Sequence, residues 1–226
     1  MTDVLVETKA VGMSYATADG QMSGILSGID LRIEAGAQVA LIGPSGSGKS
    51  TLLHILSGLI DPTEGMVHWP ALGERGQLMP EKLQVVFQSP SLFPSLTVCD
   101  NIALPLLLAG RPAAPGFAPD DLLARFGLTD LAQSLPEELS GGQSQRIAML
   151  RALSVCPHMI LADEPTGQLD STTAQAFLTE VIAVADAIGA AMVVATHDPA
   201  VAARMAQHWT IDHGTLFLGS NAGVAP

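Results

Sequence analysis

The sequence has little of what membrane-spanning and secreted proteins require. Its longest apolar stretch, 102–109, is about eight residues long and contains Pro105, whereas a membrane-spanning helix needs about 20 apolar residues. The first residues, 1–4, include no basic segment followed by an apolar one, so the sequence predicts no signal peptide. We therefore expect a cytoplasmic protein that reaches a membrane only through another protein.

Cysteine and paired histidines are also scarce. The two cysteines, Cys99 and Cys156, form no C-x-x-C motif, and the six histidines include no H-x-x-x-H pair. Neither spacing is typical of a disulfide framework or a zinc site. The sequence predicts reduced thiols and no transition metal held by protein ligands.

Basic residues are also few. The net charge of the 226-residue chain is −12, and lysine occurs only at Lys9, Lys49 and Lys82. Nucleic-acid binding depends on neutralising phosphates, and docking on anionic lipid needs basic clusters. The composition therefore argues against nucleic-acid partners, including helicase-like and recombinase-like functions, and against direct membrane binding. The 48% of hydrophobic residues is enough for a substantial core.

One glycine-rich stretch carries the strongest motif of the chain. It fits G-x-x-x-x-G-K-[ST], follows an apolar run at 38–42, and precedes a predicted helix at 52–57 that ends at Gly58. Such a loop points backbone N–H groups at phosphate, Lys49 adds a cation, and the Ser50 hydroxyl is placed to ligate Mg²⁺. The sequence thus predicts a nucleotide site formed by Gly43, Pro44, Ser45, Gly46, Ser47, Gly48, Lys49, Ser50 and Thr51.

Polar residues follow two other apolar runs. Asp163 and Glu164 come after 159–162, and His197 comes after 191–196. Both runs are typical of buried parallel strands, whose carboxyl ends form ligand sites in α/β sheets. We expect Asp163 to hold Mg²⁺ and Glu164 to polarise the attacking water as general base.

Two further features have alternative interpretations. Ser140 and Gln143 fit a capping box around Gly141-Gly142, which indicates either an ordinary capped helix or a second anion site at a helix N-terminus. Tyr15, the one tyrosine of the chain, is by itself more typical of a packing residue.

The remaining pattern predicts an α/β fold. Strands are expected at 4–11, 31–33, 66–69 and 84–87, a polar turn at 17–23, helices at 172–187 and 199–207, and a hairpin at 209–218. The proline-rich apolar segment 92–127 indicates an inserted helical subdomain. We expect a single domain, 1–226, with a catalytic core of 1–88 and 157–226 and a helical subdomain of about 89–156.

Taken together, these motifs resemble the ATP-binding subunits of ABC transporters over nearly the whole chain. Leu139-Ser140-Gly141-Gly142-Gln143 is similar to the family's signature motif and lies about ninety residues after the glycine-rich loop. Further matches are Gln88 to the Q-loop, Asp163-Glu164 to the end of the Walker B strand, Leu169-Asp170 to the D-loop, His197 to the switch histidine and Tyr15 to the aromatic A-loop.

The resemblance implies a P-loop NTPase (RecA-like) core with a mainly parallel sheet, an N-terminal antiparallel β part and an inserted α-helical subdomain. It also implies an ATPase that works as a dimer, a homodimer or a pair with another ATPase subunit. Two subunits would close head to tail around two ATP molecules, each held between one P-loop and the other subunit's Ser140, Gly141 and Gly142. Tyr15 would stack on adenine, and Asp170 of the D-loop would be one of the nucleotide-binding residues.

The resemblance assigns the remaining roles as well. His197 would contact the γ-phosphate, and Gln88 would sense Mg²⁺ and a transmembrane permease. The protein would then be peripheral on the inner face of the cell membrane through that permease.

The segment Leu161–Asp170 is similar to the lipoprotein-releasing, macrolide-export and cell-division branch, as are Leu96–Val98 and Asn101–Leu106. That likeness implies export, or a lipoprotein or lipid-type substrate. Regulation of a membrane partner without transport, as in cell division, remains open. A soluble ABC ATPase acting on DNA or ribosomes would need a coiled-coil insertion or a second copy of the motifs, and the sequence has neither.

Overall fold

A computed structural model describes residues 3–16 and 19–219 of the chain. Strands and helices alternate after an all-β start. The strands are β1 (Val4–Ala16), β2 (Met22–Glu34), β3 (Gln38–Ile42), β4 (Glu64–His68), β5 (Leu83–Val86), β6 (Met159–Asp163), β7 (Ala191–Thr196), β8 (Gln207–Asp212) and β9 (Thr215–Gly219). The helices are α1 (Lys49–Leu56), α2 (Val98–Ala109), α3 (Pro119–Arg125), α4 (Gly141–Leu153), α5 (Ser171–Ala187) and α6 (Pro199–Ala202).

The central sheet has six strands in the order β5-β6-β7-β3-β8-β9. All its pairings are parallel except that of β9 with β8, which forms the predicted C-terminal hairpin. The strand β7 is buried at every position, as expected for a strand covered on both faces. The mainly parallel sheet of the predicted fold class is confirmed.

The N-terminal antiparallel part is also confirmed, as a second sheet in the order β2-β1-β4. Its strands are longer than the sequence indicated, because β1 runs on to Ala16 and β2 begins at Met22. Register shifts interrupt their pairing at several points, for example between Thr8 and Val11. These bulges interrupt the alternation of apolar and polar residues along the strands. The sequence pattern therefore predicted short strands in place of the long β1 and β2. Of the predicted polar turn, Thr17 and Ala18 lie outside the described residues.

Two hydrophobic clusters occupy opposite faces of the central sheet. Alternate residues of β3 illustrate the division, since Ala40 belongs to one cluster and Val39 and Leu41 to the other. The first cluster joins the sheet to α2, α3, α4 and α5, and the second joins it to α1 and the antiparallel sheet. The segment between β5 and β6 is therefore helical, as predicted, and α4 packs directly on the sheet.

Two helix boundaries differ from the predictions. The predicted helix at 199–207 is wrong beyond Ala202, because Gln207 already pairs with Val39 as the start of β8. Val201 and Met205 have helical spacing and are both buried, but Met205 lies in the bend that follows α6 rather than in the helix. The helix after the glycine-rich loop begins at Lys49 rather than at residue 52. Over the described ranges, no helix has the length and apolarity needed to cross a membrane.

Candidate active site

The predicted polar residues lie at one edge of the central sheet. In the parallel register Ile42 of β3 pairs with Thr196 of β7, and Asp163 of β6 pairs with Ala195. The glycine-rich loop, Glu164 and His197 therefore follow three adjacent strands at their carboxyl ends. Gln88 follows β5 at the same edge and is exposed. Sequence reasoning predicted this convergence, which is the usual ligand position in an α/β sheet.

Glycine is required at two positions of the loop. Gly43 has a φ of 154°, and a Cβ there would lie 2.4 Å from the carbonyl oxygen of Ile211. Gly48, the N-cap of α1, has a φ of 104°, and a Cβ there would lie 2.7 Å from Cδ2 of Leu26. Both the left-handed backbone and the close approach of neighbouring strands exclude a side chain. The loop is thereby held against β2 and β8 at the start of α1.

Two side chains of the loop are buried in a way that suits an anion site. Lys49 is only 8% exposed, and its Nζ donates to the carbonyl oxygens of Gly43 at 2.8 Å and Pro44 at 3.0 Å rather than to a carboxylate. Ser47 is equally buried, and among the described residues its Oγ has no hydrogen-bond partner. Within the described part of the chain the Lys49 ammonium forms no ion pair and the Ser47 hydroxyl no hydrogen bond, and both side chains fit a phosphate group bound in the loop.

Tyr15 lies near this loop. Met13 of β1 pairs with Leu26, whose side chain contacts Gly48. Tyr15 is two residues further along the strand, roughly 7 Å at the usual rise, and its side chain is 44% exposed. An exposed aromatic ring beside a phosphate-binding loop favours the stacking interpretation over the packing one.

Glu164 is held in place from three directions. Its Oε1 accepts hydrogen bonds from the backbone N–H of His197 at 3.0 Å and from the imidazole Nδ1 at 2.6 Å. Its Oε2 accepts one from the Thr196 hydroxyl at 3.2 Å. Because a carboxylate only accepts, the Nδ1 atom of His197 carries the hydrogen. The Glu164 backbone has a φ of 47°, uncommon outside glycine and typical of functional sites.

The donor set also fits magnesium. Asp163 is 8% exposed at the end of β6, and Ser50 is half-buried in the first turn of α1. Within 3–16 and 19–219, no three His, Cys, Asp or Glu side chains cluster as a metal site would require. Mg²⁺ ordinarily binds through one or two protein oxygens, substrate phosphates and water, so the few ligands suit it.

The signature segment lines a separate cleft. Ser140 Oγ accepts from the Gln143 N–H at 3.2 Å and Gln143 Oε1 accepts from the Ser140 N–H at 2.7 Å, which confirms the capping box. The lining of the cleft consists of Ser140, Gly141, Gly142, Gln143, Arg146, Gln168, Leu169, Asp170 and Thr173. No residue of 43–51 is among these described lining residues. The glycine-rich loop therefore does not line this cleft.

Asp170 is the N-cap of α5. Its Oδ1 accepts from the N–H groups of Thr172 at 3.1 Å and Thr173 at 3.0 Å. The Thr173 hydroxyl and these N–H groups favour the ionised carboxylate, so the pKa of Asp170 lies below its usual range. The predicted D-loop residue thus has a helix-capping role and lies in the signature cleft.

Sequence reasoning missed two residues of α4 that complete the site. Gln145 is 1% exposed and bonds to the loop that follows β6. Arg146 lines the signature cleft, and its guanidinium lies 5.5 Å from the ring centroid of Phe177 and donates to the Phe126 carbonyl at 2.5 Å. Burial lowers the pKa of Arg146, but an arginine stays charged in proteins. Amphipathic spacing alone gives no sign of either contact.

The chain is similar in sequence to proteins of one family. A sequence profile of the family described as ABC transporter matches residues 26–167. The lipoprotein-releasing system ATP-binding protein LolD of Shewanella oneidensis is 39% identical over 230 residues, which cover 98% of this chain and 100% of the relative. LolD of Paramagnetospirillum magneticum is 43% identical over 200 residues, covering 85% of this chain and 88% of the relative.

A solved structure has the same architecture. The ATP-binding cassette MJ0796, described as a dimeric post-hydrolysis state bound to ADP and Pi, superposes with a TM-score of 0.86 at 34% identity. The superposition covers 97% of this chain and 100% of the cassette. With the profile match over more than half of its length and relatives of this identity and coverage, the chain belongs to the ABC transporter family.

Proposed function

We propose that the chain is the ATP-binding subunit of an ABC transporter, which binds and hydrolyses MgATP as a head-to-tail dimer and drives a separate transmembrane permease. The observation that carries this proposal is the setting of Glu164, held by His197 and Thr196 at the sheet edge that also carries the glycine-rich loop. The relatives are named as lipoprotein-releasing proteins, so the substrate class we propose is a lipoprotein or lipid-type molecule.

Binding of the nucleotide uses the glycine-rich loop and the polar residues at the same edge of the sheet. Residues 43–51 wrap the β- and γ-phosphates, with Lys49 turning from its carbonyl partners to the phosphate oxygens, and Tyr15 stacks on the adenine. Ser50, Asp163 and Gln88 are the residues that would hold Mg²⁺, which when bound neutralises charge on the phosphate oxygens. The loop contributes Gly43, Pro44, Ser45, Gly46, Ser47, Gly48 and Thr51 around Lys49 and Ser50.

Hydrolysis uses Glu164 as general base. The carboxylate accepts a proton from water as the water oxygen attacks the γ-phosphorus, and the bond from that phosphorus to the bridging oxygen of ADP breaks. His197 orients the carboxylate through Nδ1, which leaves Nε2 directed away from it to contact the γ-phosphate. Thr196 fixes the second carboxylate oxygen, so the base is positioned before the substrate binds.

The dimer follows from the separation of the two clefts. Ser140, Gly141 and Gly142 are the N-terminal residues of α4, where helix N–H groups and the cation of Arg146 attract an anion. Because this cleft is separate from the glycine-rich loop of the same chain, we assign it to the partner subunit's ATP. The dimeric state of the MJ0796 cassette supports this arrangement.

We propose that the chain consists of a catalytic core, 1–88 and 157–226, and a helical subdomain, about 89–156. The helical subdomain provides the contact with the permease. Phe93 follows the Q-loop residue Gln88 and is 51% exposed, and Leu107 and Leu108 at the end of α2 are 71% and 69% exposed. Apolar side chains exposed in this way are typical of a protein–protein contact. Through this contact the subunit would be peripheral on the inner face of the cell membrane.

The test is ATP turnover by wild type and Glu164→Gln, with the exposed Glu137→Gln as matched control. We expect Glu164→Gln to lower kcat at least a hundredfold, the usual range for loss of a general base, with ATP affinity retained. Glu137→Gln should behave as wild type. Unchanged turnover in Glu164→Gln would remove Glu164 from the mechanism.

Detergent-solubilised membranes provide the second part of the test. We expect ATP-trapped Glu164→Gln to co-purify with a multi-span membrane protein. Reconstitution of the wild-type subunit with that membrane protein in vesicles should give ATP-dependent transport. A complex that hydrolyses ATP without transport would favour the regulatory alternative.

A further inference from the structure

The side chain of Gln145 bridges two parts of the molecule that serve different ATP sites. Its Nε2 donates to the backbone carbonyl of Glu164 at 2.7 Å, and its Oε1 accepts from the N–H of Gln168 at 2.9 Å. The residue is 1% exposed and lies in the second turn of α4. Both polar atoms of this buried amide are thus hydrogen-bonded to the loop that connects Glu164 to Asp170.

The start of α4 is pressed against the same loop. A Cβ on Gly141 would lie 1.9 Å from Oε1 of Gln168, and one on Gly142 would lie 2.8 Å from Cδ2 of Leu169. These glycines therefore permit close packing as well as exposing N–H groups. With Gln145 behind them, the signature segment and residues 164–169 have little freedom to move independently.

The bridge acts on the backbone of Glu164 itself. The N–H of Glu164 donates to the Ala195 carbonyl at 2.9 Å. Its own carbonyl accepts from Gln145 Nε2 at 2.7 Å and from the N–H of Gly167 at 3.1 Å, so both polar groups of the residue are fixed. Fixing them holds the left-handed φ of 47°, from which the carboxylate reaches His197 and Thr196. A shift of α4 would therefore tilt the peptide of Glu164 and move its carboxylate.

We propose that Gln145 is a positioning residue that couples the two ATP sites of the dimer, an inference that rests on the proposed head-to-tail arrangement. Ser140–Gly142 of one subunit contact the partner's ATP, while Glu164 of the same subunit acts on its own. When the partner's ATP engages the N-terminus of α4, Gln145 transmits the new position of α4 to the Glu164 backbone. Hydrolysis at one site then depends on occupancy of the other.

The test compares wild type, Gln145→Met and Gln145→Glu, with the exposed Gln133→Met as control. The methionine variant keeps the length of the side chain and loses both hydrogen bonds. We expect the ATP affinity of the isolated subunit to stay within about twofold of wild type, kcat to fall about tenfold, and the Hill coefficient for ATP to fall from about 2 toward 1. Gln133→Met should match wild type.

The glutamate variant supplies a rescue. Burial raises the pKa of a carboxyl by as much as about 3–5 units, so a protonated Glu at 145 donates to the Glu164 carbonyl while its carbonyl accepts from Gln168. The Hill coefficient of Gln145→Glu, relative to wild type at each pH, should rise between about pH 8 and pH 6. A purely structural amide would change the melting temperature and leave the Hill coefficient of the folded enzyme unchanged.

The outcomes separate this inference from the proposed function. Absence of ATP turnover or ATP-dependent dimerisation in wild type contradicts the proposed function before any variant is compared. A wild-type Hill coefficient of about 1 overturns the coupling, and so does a Gln145→Met variant with lower kcat and an unchanged Hill coefficient. Should Gln145→Met fail to fold, the pH response of Gln145→Glu decides, and a flat response overturns the inference.

Discussion

The imidazole Nδ1 of His197 lies 2.6 Å from Oε1 of Glu164, and the backbone N–H of His197 donates to the same oxygen at 3.0 Å. The ring is largely exposed, with 72% of its side-chain surface accessible, whereas Glu164 has 12%. The exposed histidine therefore covers the buried carboxylate from the solvent side. In the proposed mechanism this arrangement would let His197 both orient the Glu164 carboxylate and present its remaining ring nitrogen to a bound nucleotide.

Removing the imidazole tests that arrangement. In His197→Ala the carboxylate keeps the backbone N–H and Thr196 and loses its shortest hydrogen bond. We expect kcat to fall about tenfold to a hundredfold, as for a misplaced catalytic group, with little change in ATP affinity. Steady-state ATPase assays measure both quantities, and His68→Ala, an exposed histidine on β4, is the control. Wild-type kcat in His197→Ala would show that the contact has no role in turnover.

Asn101 is expected to hold the segment after the Q-loop. Its buried side chain donates to the carbonyls of Phe93, Leu96 and Thr97 at 3.0–3.1 Å and accepts from the Phe93 N–H at 2.8 Å. In Asn101→Ala the Phe93 and Thr97 carbonyls keep the backbone N–H groups of Leu96 and Asn101. The Phe93 N–H and the Leu96 carbonyl lose their partner, which should cost about 2–3 kcal/mol. For a chain of this size the melting temperature should fall by about 5–10 °C. An equal melting temperature in calorimetry, as expected for the exposed Gln133→Ala, would refute this role.

Permease contact should depend on the exposed end of α2. Leu108→Glu places a charge on the proposed contact surface without touching either ATP cleft. We expect co-purification with the permease to be lost and the ATPase activity of the isolated subunit to be unchanged. Leu218→Glu is the matched control, because Leu218 is 55% exposed on β9 at the far edge of the sheet. Full co-purification of Leu108→Glu would place the permease elsewhere.

The capping role of Asp170 predicts a pH dependence. Its folded-state pKa is lowered by hydrogen bonds to Thr173 and Thr172, so the ionised carboxylate stabilises the fold above the unfolded pKa of about 3.9. That contribution is lost as the pH falls through the folded pKa. Asp170→Asn keeps a capping oxygen but no charge. Thermal melts should show wild type the more stable at neutral pH, with the difference shrinking progressively as the pH falls below about 4 toward the lower folded-state pKa; a constant difference would contradict this.

Much of the fold could be predicted because its signals are local. The run at 38–42, the glycine-rich loop and the first helix are contiguous, and the strand ends at Asp163 and Thr196 are marked by a change from apolar to polar residues. The length of β1 could not be predicted, since its bulges depend on pairing with β2. The end of α6 at Ala202 depends likewise on the pairing of Gln207 with Val39.

The site was predictable in composition and less so in its internal contacts. Sequence reasoning named Glu164 and His197 from separate strand ends, while their hydrogen bond depends on the adjacency of β6 and β7. Gln145 was not identified, because a glutamine inside a helix carries no local signal of what it contacts across 19 residues. The roles of the individual site residues remain predictions, and the variants described above test them.

ATP-dependent dimerisation is the most direct test of the account. Light scattering on purified Glu164→Gln, with Mg²⁺ and either ATP or ADP, measures the mass of the particle against the 23.4 kDa of one chain. We expect a doubled mass with ATP and a single chain with ADP, because in the proposed dimer the signature cleft closes on the γ-phosphate of the partner's nucleotide. A single chain in saturating ATP, with ATP bound, would contradict the head-to-tail arrangement.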